Sequence, residues 1–370
     1  MSTAVILNSR QGLRPCGSEP WIRSTVRAVQ YASQQSLTLS VSVGTKPWEL
    51  ALFLAGCDRI PIKLYYPAGF DDSSLQNLIQ QYKITDSGID FIPVESGKSG
   101  EKSREFQKNR DQAIINDADI LIPVSIKTGG NLDRLLIDSV KNGKSNVGDF
   151  RVPYLSSKAD AKIEIARNRI NPVLDSIFDN HLIHWTRTSN YRWPDETAAD
   201  YYCDIVLSGN KYPRSALETL CNILSKKWLY ASSRHYRKGY SAVAFSEMKP
   251  SQAALLMKWR ARYREMTFEP YGIAIPIDIA EKTGLRRVIY GEAEVYHLLK
   301  PSDRPYFQTV GQKGFWLPER EWRCLGDLDL SSIPETKLAA IVMENSEIEK
   351  LSAVFPGPVY SFYSQQNNEK

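Results

Sequence analysis

Toward the carboxyl end of this 370-residue chain, Glu319, Arg320, Glu321, Trp322, Arg323 and Cys324 follow one another and then run into apolar sequence. An extended backbone puts residues two apart on one face, so Glu319 and Glu321 are expected to project together, with Arg320 and Trp322 turned the other way. Two like charges directed together are costly unless something uses them, in catalysis or in a salt bridge. The competing reading is an ion pair of Glu321 with Arg320, Arg323 or another arginine. Cys324, two residues past Trp322, reads as an inert packed thiol rather than a nucleophile.

Other side chains with binding chemistry lie earlier. Arg234, His235, Tyr236, Arg237 and Lys238 form the densest basic and aromatic cluster, in a loop ahead of the apolar AVAF stretch, and suit contact with nucleic-acid phosphates. KWRARYREM at 258–266 reads as two charged helical turns, either phosphate-binding or a solvated face. His184 is either a ligand contact or a core imidazole satisfied by a carbonyl. Trp185, Trp193, Tyr201 and Tyr202 could stack on a base, with core packing the alternative.

The bulk composition bounds these choices. A chain with 42% hydrophobic and 24% charged residues is globular, and its length suggests two domains. A net charge of +5 tolerates an anionic partner without marking a tail-driven nucleic-acid binder. Five cysteines are scattered without a CxxC or Cys/His cluster, so neither a disulfide framework nor a metal site is expected, and a reducing cytoplasm fits. No run of 18 apolar residues suggests a membrane partner. GxGxxG and GxxxxGK[ST] are both missing, which argues against a conventional dinucleotide dehydrogenase or P-loop ATPase.

The elements that must position these residues fall into two groups. Residues 1–145 alternate short apolar strands (4–9, 37–43, 62–67, 89–94 and 119–126) with helical stretches, the rhythm of an α/β parallel sheet with helices on both faces. Two glycine turns follow strands: Gly44-Thr45 runs into a helix opened by Pro47, and Gly129-Gly130 follows the last strand. Free backbone amides at such places can hold an anion. Residues 4–140 resemble the SLOG and DprA-like Rossmann families, and the resemblance implies a nucleotide ligand near these turns. A polar linker and a helix are expected over 146–180.

Residues 181–364 read as a second, α+β domain with a small mixed or antiparallel sheet. Leu217, Leu220, Ile223 and Leu224 fall at helical spacing in a scaffold helix that ends at Lys226-Lys227. The order His184-Trp185-Thr186-Arg187, then TLCNILSKKWLYAS (219–232), AVAFSEM (242–248), YGIAI (271–275) and EREWRCLGDL resembles the ADP-ribosyltransferase superfamily. Its DNA-modifying, DarT-like branch and abortive-infection relatives are the nearest in pattern. That resemblance, over about 181–345, implies an ADP-ribosyltransferase-like fold and NAD as cofactor. It implies His184 and Thr186 on the nicotinamide side and Glu321 as the catalytic glutamate, with Glu319 two positions before it. Arg187 and Arg234 would take the pyrophosphate, and Tyr271 would belong to the cofactor site. The implied acceptor is a nucleobase or nucleic acid, most simply DNA, in DNA modification or phage defence. The chain departs from the pattern where Lys226-Lys227-Trp228 replaces a glycine, and through an insertion over 188–215. These departures leave two alternatives: an NAD-independent enzyme acting on a modified base such as 7-deazaguanine, and a nucleotide-sensing defence protein whose second domain only binds.

Overall fold

The computed structural model describes residues 1–85, 88–95, 104–155, 162–234, 236, 239–310 and 319–365. They form two units: Met1–Asp160 with Tyr191–Pro213, and Ala161–Asn190 with Arg214–Lys370.

In the first unit, β1 (Thr3–Asn8), β2 (Thr38–Ser42), β3 (Ile62–Pro67), β4 (Ile89–Val94), β5 (Ile120–Ser125) and β6 (Ser145–Asn146) form one parallel sheet ordered β4-β3-β2-β1-β5-β6. All six residues of β1 are buried, as a central parallel strand covered on both faces requires. Helices α1 (Pro20–Gln34), α2 (Lys46–Cys57), α3 (Asp72–Tyr82), α4 (Arg104–Asp117) and α5 (Asn131–Lys141) supply the cover. Pro20 opens α1, whose buried stripe Trp21, Ile22, Ala28, Val29 and Ala32 repeats at helical spacing. Asp71 caps α3 by accepting from the Ser74 amide at 2.9 Å.

The helix expected over 146–180 reduces, among the described residues, to one 3-10 turn at Arg167–Arg169 and a single turn, α6 (Leu174–Ile177). The stretch read as an insertion is the larger correction. Tyr191–Pro213 belongs to the first unit, where α7 (Ala198–Leu207) packs on α2 and α3. Tyr202 stacks on Phe53 and Tyr82 there, with ring centroids 6.3 and 6.2 Å apart, so Tyr201 and Tyr202 are core residues. The excursion is closed at its base within the second unit: the Ser189 amide donates to the Arg214 carbonyl at 2.9 Å. Departure and return points are neighbours, so the second unit's sheet passes over the excursion undisturbed.

The second unit is α+β. A seven-stranded mixed sheet forms from β7 (His181–Trp185), β9 (Ala242–Ser246), β12 (Gly272–Pro276), β13 (Arg286–Arg287), β16 (Glu321–Leu325), β18 (Ala339–Val342) and β19 (Val359–Ser361), ordered β13-β16-β9-β7-β12-β18-β19. Every pairing is antiparallel except β18 with β19. Short pairs complete it: β8 (Trp228–Leu229) with β17 (Leu328–Asp329), β10 (Trp259–Arg260) with β11 (Glu265–Met266), and β14 (Ile289–Gly291) with β15 (Phe307–Thr309). The string at 258–266 is therefore a β-hairpin, not a charged helix. Helix α8 (Ala216–Lys226), capped by Ser215 and ended by Lys227 in the left-handed region, buries Leu220 and Leu224 against one sheet face with Leu182, Phe245, Ile273 and Trp322. The other face carries Ile183, Trp185, Ala274 and Ile341 under Met248, Phe268 and Phe362.

Candidate active site

Strand β16 starts at Glu321 because Arg320 holds a left-handed φ of 46°, which breaks the extended run on its amino-terminal side. Glu319 and Glu321 are thus not two rungs of one strand, as alternation suggests, but flank a bend. The Glu319 carbonyl is fixed by the Ser246 hydroxyl (3.2 Å) and the Glu247 amide (3.3 Å) at the end of β9. Within β16, Glu321 and Arg323 share a face while Trp322 points to the α8 side. There Trp322 is 2% exposed and donates Nε1–H to Glu247 at 2.9 Å.

The carboxylate of Glu321 is chelated by its own strand neighbour. Arg323 Nε donates to Oε1 at 2.8 Å and Nη2 to Oε2 at 3.1 Å. The ion-pair reading of Glu321 holds, with Arg323 as the partner. Arg323 is held in turn by the carbonyls of Pro305 (3.1 Å) and Phe307 (3.3 Å) and by Gln308 Oε1 (2.8 Å), with the Tyr236 ring 4.6 Å from its guanidinium. The Tyr236 hydroxyl stands 3.5 Å from Glu321 Oε1, and the Tyr290 hydroxyl accepts from the Glu321 amide at 3.1 Å. Burial, then the neighbouring Glu321 charge, raises the Tyr236 phenol; burial pushes Tyr290 up to about 12.

Glu319 differs from its partner. Burial first, and the Glu321 charge second, push its carboxyl up to about 8 against the opposing pull of Arg323. Glu319 therefore keeps its proton at neutral pH, beside the Glu321 side chain that the Arg323 guanidinium clamps.

A separate guanidinium cluster gathers on Glu265. The loop ahead of β9 sends Tyr236 to Arg323 and Arg234 to Glu265, where Nη2–Oε1 is 2.9 Å and Nη1–Oε2 is 3.1 Å. Arg187 reaches the same Glu265 at 3.7 Å and donates to the Thr267 carbonyl at 3.0 Å. The guanidiniums of Arg234, Arg260 and Arg262 stand 4.7, 4.9 and 5.7 Å from the Tyr263 ring. Burial, with Arg234 and Arg260 as like-charged neighbours, depresses the Arg187 guanidinium despite Glu265.

Register separates the remaining candidates from this site. Glu321 pairs with Ser246 and Ser246 with Ile183, so Glu321 lies on the Ile183 face; His184, paired with Ile273, lies on the other. His184 Nδ1 is 2.8 Å from the Ala244 carbonyl, which only accepts, so this nitrogen carries the proton; burial holds the imidazole below its ordinary value. Tyr271 shares the face of Ile273 and donates its hydroxyl to Glu347 at 2.9 Å. Thr186 is buried and spends its backbone on Tyr271 and Glu269. The structure thus groups Glu319 and Glu321 with Tyr236 and Arg323, groups Arg187 and Arg234 on Glu265, and leaves His184, Thr186 and Tyr271 as packing and ladder residues. His235, Arg237 and Lys238 lie outside the described residues. Sequence reasoning missed Tyr290, and Glu265 as the cluster's counter-charge.

The glycine turns of the first unit are closed by their own helices. The Gly44 amide donates to Glu49 Oε1 at 3.0 Å, and the Gly129 amide to Asp133 Oδ2 at 2.8 Å. Gly130 donates to the Lys127 carbonyl, and Thr45 makes no side-chain cap. Internal carboxylates occupy the donors expected to bind an anion. Among the described residues no group of three or more His, Cys, Asp or Glu could hold a metal, and no helix is long and apolar enough to cross a membrane.

No family model matches the chain, and no curated protein matches it. Among solved structures, it is similar to the X-ray structure of DNA processing protein A (DprA) from Streptococcus pneumoniae, with 13% identity and a TM-score of 0.30. The match covers 39% of this chain and 49% of that one, about half the other protein's length. The first unit is Rossmann-like in its own topology, a parallel sheet wrapped by helices, and the second carries a mixed sheet with no family model to place it among the ADP-ribosyltransferases.

Proposed function

We propose that the second unit is an acid–base enzyme that cleaves the N-glycosidic bond of a nucleotide or a nucleic acid, in line with the NAD-independent alternative. The observation that supports it is Glu319, pushed up to about 8 by burial beside Glu321, which Arg323 clamps. In this reading the bond between C1′ and the base nitrogen breaks with its electron pair passing to the base. Glu319 delivers the proton that makes the base a neutral leaving group. Glu321 faces the ribosyl cation, and water adds to C1′ as its proton returns to Glu319. Arg187, Arg234 and Arg260 suit the substrate's phosphate, since guanidinium forks match phosphate oxygens.

NAD fits this arrangement poorly. Its nicotinamide is already cationic and departs without a proton, so it has no use for a protonated Glu319. The residues carried over for it, His184 and Tyr271, lie on the sheet face opposite Glu321.

The experiment is release of free base, followed by chromatography and mass spectrometry, from nucleoside 5′-monophosphates, single-stranded DNA and NAD. Base release from nucleotide or DNA that falls at least a hundredfold in Glu319→Gln is expected. Consumption of NAD alone, at a rate indifferent to Glu319→Gln, would overturn the reading.

A further inference from the structure

Two cysteines far apart in the sequence are brought to one place on the first unit. Cys57 is the last residue of α2 and Cys203 lies within α7; both thiols are free and both residues are exposed. Glu49, Phe53 and Cys57 are spaced four apart on α2, so they share one stripe of that helix. Tyr202 lies along this stripe, its ring stacked on Phe53 and its hydroxyl on Glu49 at 2.5 Å. A side chain that reaches from Phe53 back toward Glu49 roots its own main chain toward the carboxyl end of the stripe, where Cys57 sits. Cys203 is the next residue along α7.

The two sulfurs act on each other. Burial first, then the Asp58 charge, then Cys203 raise the Cys57 thiol. A metal reading fails on ligand number, because among the described residues no group of three or more His, Cys, Asp or Glu could hold an ion. The polar ties of α7 to its neighbours are non-covalent: Tyr201 to Lys46, Tyr202 to Glu49, and the exposed Asp200–Lys83 pair. A covalent link at Cys57 would add to them at the other end of α2 from Lys46.

We infer that Cys57 and Cys203 form a reversible redox pair, which a low-molecular-weight disulfide such as oxidised glutathione converts into an intramolecular disulfide fixing the 191–213 excursion to α2. The Cys203 thiolate attacks one sulfur of the reagent and releases one thiol. The Cys57 thiolate then attacks the Cys203 sulfur and releases the second, so the protein gives up two electrons and two protons and the reagent takes both. With its thiolate disfavoured, Cys57 suits the second, intramolecular step. Paired thiols that close only under oxidant are the form disulfides ordinarily take in a reducing compartment. The assignment is independent of the chemistry proposed for the second unit.

The test is exposure of the full chain to mixtures of oxidised and reduced glutathione, followed by alkylation, peptide mapping by mass spectrometry and hydrogen exchange, on wild type, Cys57→Ser and Cys203→Ser. Oxidised wild type should lose two of its five cysteines to alkylation, yield one linked peptide pair carrying Cys57 and Cys203, and exchange about tenfold more slowly over residues 198–207. Excess reductant should reverse all three. In either variant the remaining cysteine should stop at a mixed disulfide with glutathione, with exchange unaltered. Circular dichroism shows whether each variant is folded; if one is not, wild type alkylated before oxidation serves in its place. Mixed disulfides that persist on wild type, a link to another cysteine or between chains, no reaction, or a link that leaves exchange unchanged would overturn the assignment.

Discussion

Arg323 closes on Glu321, two residues before it on the same strand, through two parallel hydrogen bonds of 2.8 and 3.1 Å. All the donors of this guanidinium that reach a partner are fixed in the plane of a fork, three of them spent on the carbonyls of Pro305 and Phe307 and on Gln308. A lysine cannot reproduce that geometry. Arg323→Lys is expected to cost about 3 kcal/mol, the scale of a broken buried pair, and to reduce base release further than the stability loss explains. Because Glu321→Gln alone strands the guanidinium, the double variant Glu321→Gln/Arg323→Met should melt higher than Glu321→Gln while remaining inactive. Chemical denaturation alongside the base-release assay checks both, and a double variant no more stable than Glu321→Gln would refute the clamp.

Glu319 carries a pH signature whose direction follows from its raised value. The unfolded chain loses this proton near the ordinary 4.5, the folded chain near 8, so between these values the folded state holds more protons. Stability should therefore fall as pH rises through that window, by up to about 1.4 kcal/mol per pH unit at the steepest. Glu319→Gln should flatten the dependence over pH 5–8, as read from denaturation midpoints. Activity of the wild type should decline above pH 8, where the acid is spent. An unchanged stability profile in the variant would place the glutamate in water rather than in a dry site.

Gly17 is the point where the excursion meets the β1 loop. A Cβ there would sit 2.1 Å from the Ser208 carbonyl oxygen and 2.6 Å from that of Val206, both backbone. The same contact holds hydrogen bonds from the Gly17 amide to Ser208 Oγ (2.9 Å) and from the Ser18 amide to the Gly209 carbonyl (3.1 Å). Gly17→Ala should cost about 2 kcal/mol or more, and hydrogen exchange should rise in residues 198–209 ahead of the parallel strands. Equal protection of that segment in both proteins would contradict the docking.

How far these features were legible depends on the range of the forces behind them. The strands at 62–67 and 89–94 match the expected runs residue for residue, and β1, β2 and β5 differ at their ends only; β1, β2 and β5, almost wholly buried, are written as near-continuous apolar sequence. Helix α8 was legible for the same local reason, with Ser215 and Lys227 at its ends. The return of 191–213 to the first unit was not, since it rests on Tyr202 meeting Phe53 and on Ser189 meeting Arg214, contacts between residues far apart in sequence or across the excursion. The expected partnership of His184 with Glu321 failed on parity: one residue of register places a side chain on the opposite face, and the pairing of β7 with β9 cannot be read from either strand alone. At Arg320 a single left-handed residue ended the alternation that the extended reading assumed.

Lys46 gives the last prediction, and its sign is opposite to that of Glu319. At the start of α2 its ammonium hydrogen-bonds the Tyr201 hydroxyl and lies 4.6 and 5.7 Å from the rings of Tyr201 and Tyr191. Tyr201 in turn meets the Tyr212 hydroxyl at 3.0 Å, and Glu49 accepts from Tyr202 at 2.5 Å. Burial outweighs the attraction of Glu49 and pulls the lysine down to about 8. Above that pH the folded chain has released a proton that the unfolded chain keeps to about 10.5, so stability should rise as pH climbs from 8 toward 10, before the tyrosines ionise in the unfolded state. Comparison with Lys46→Met isolates the effect: the stability of wild type relative to the variant should grow by about 2 kcal/mol between pH 8 and 10. A difference that stays constant across that range would mean that the ammonium is solvated, and that the excursion is held on α2 by Tyr202 packing alone.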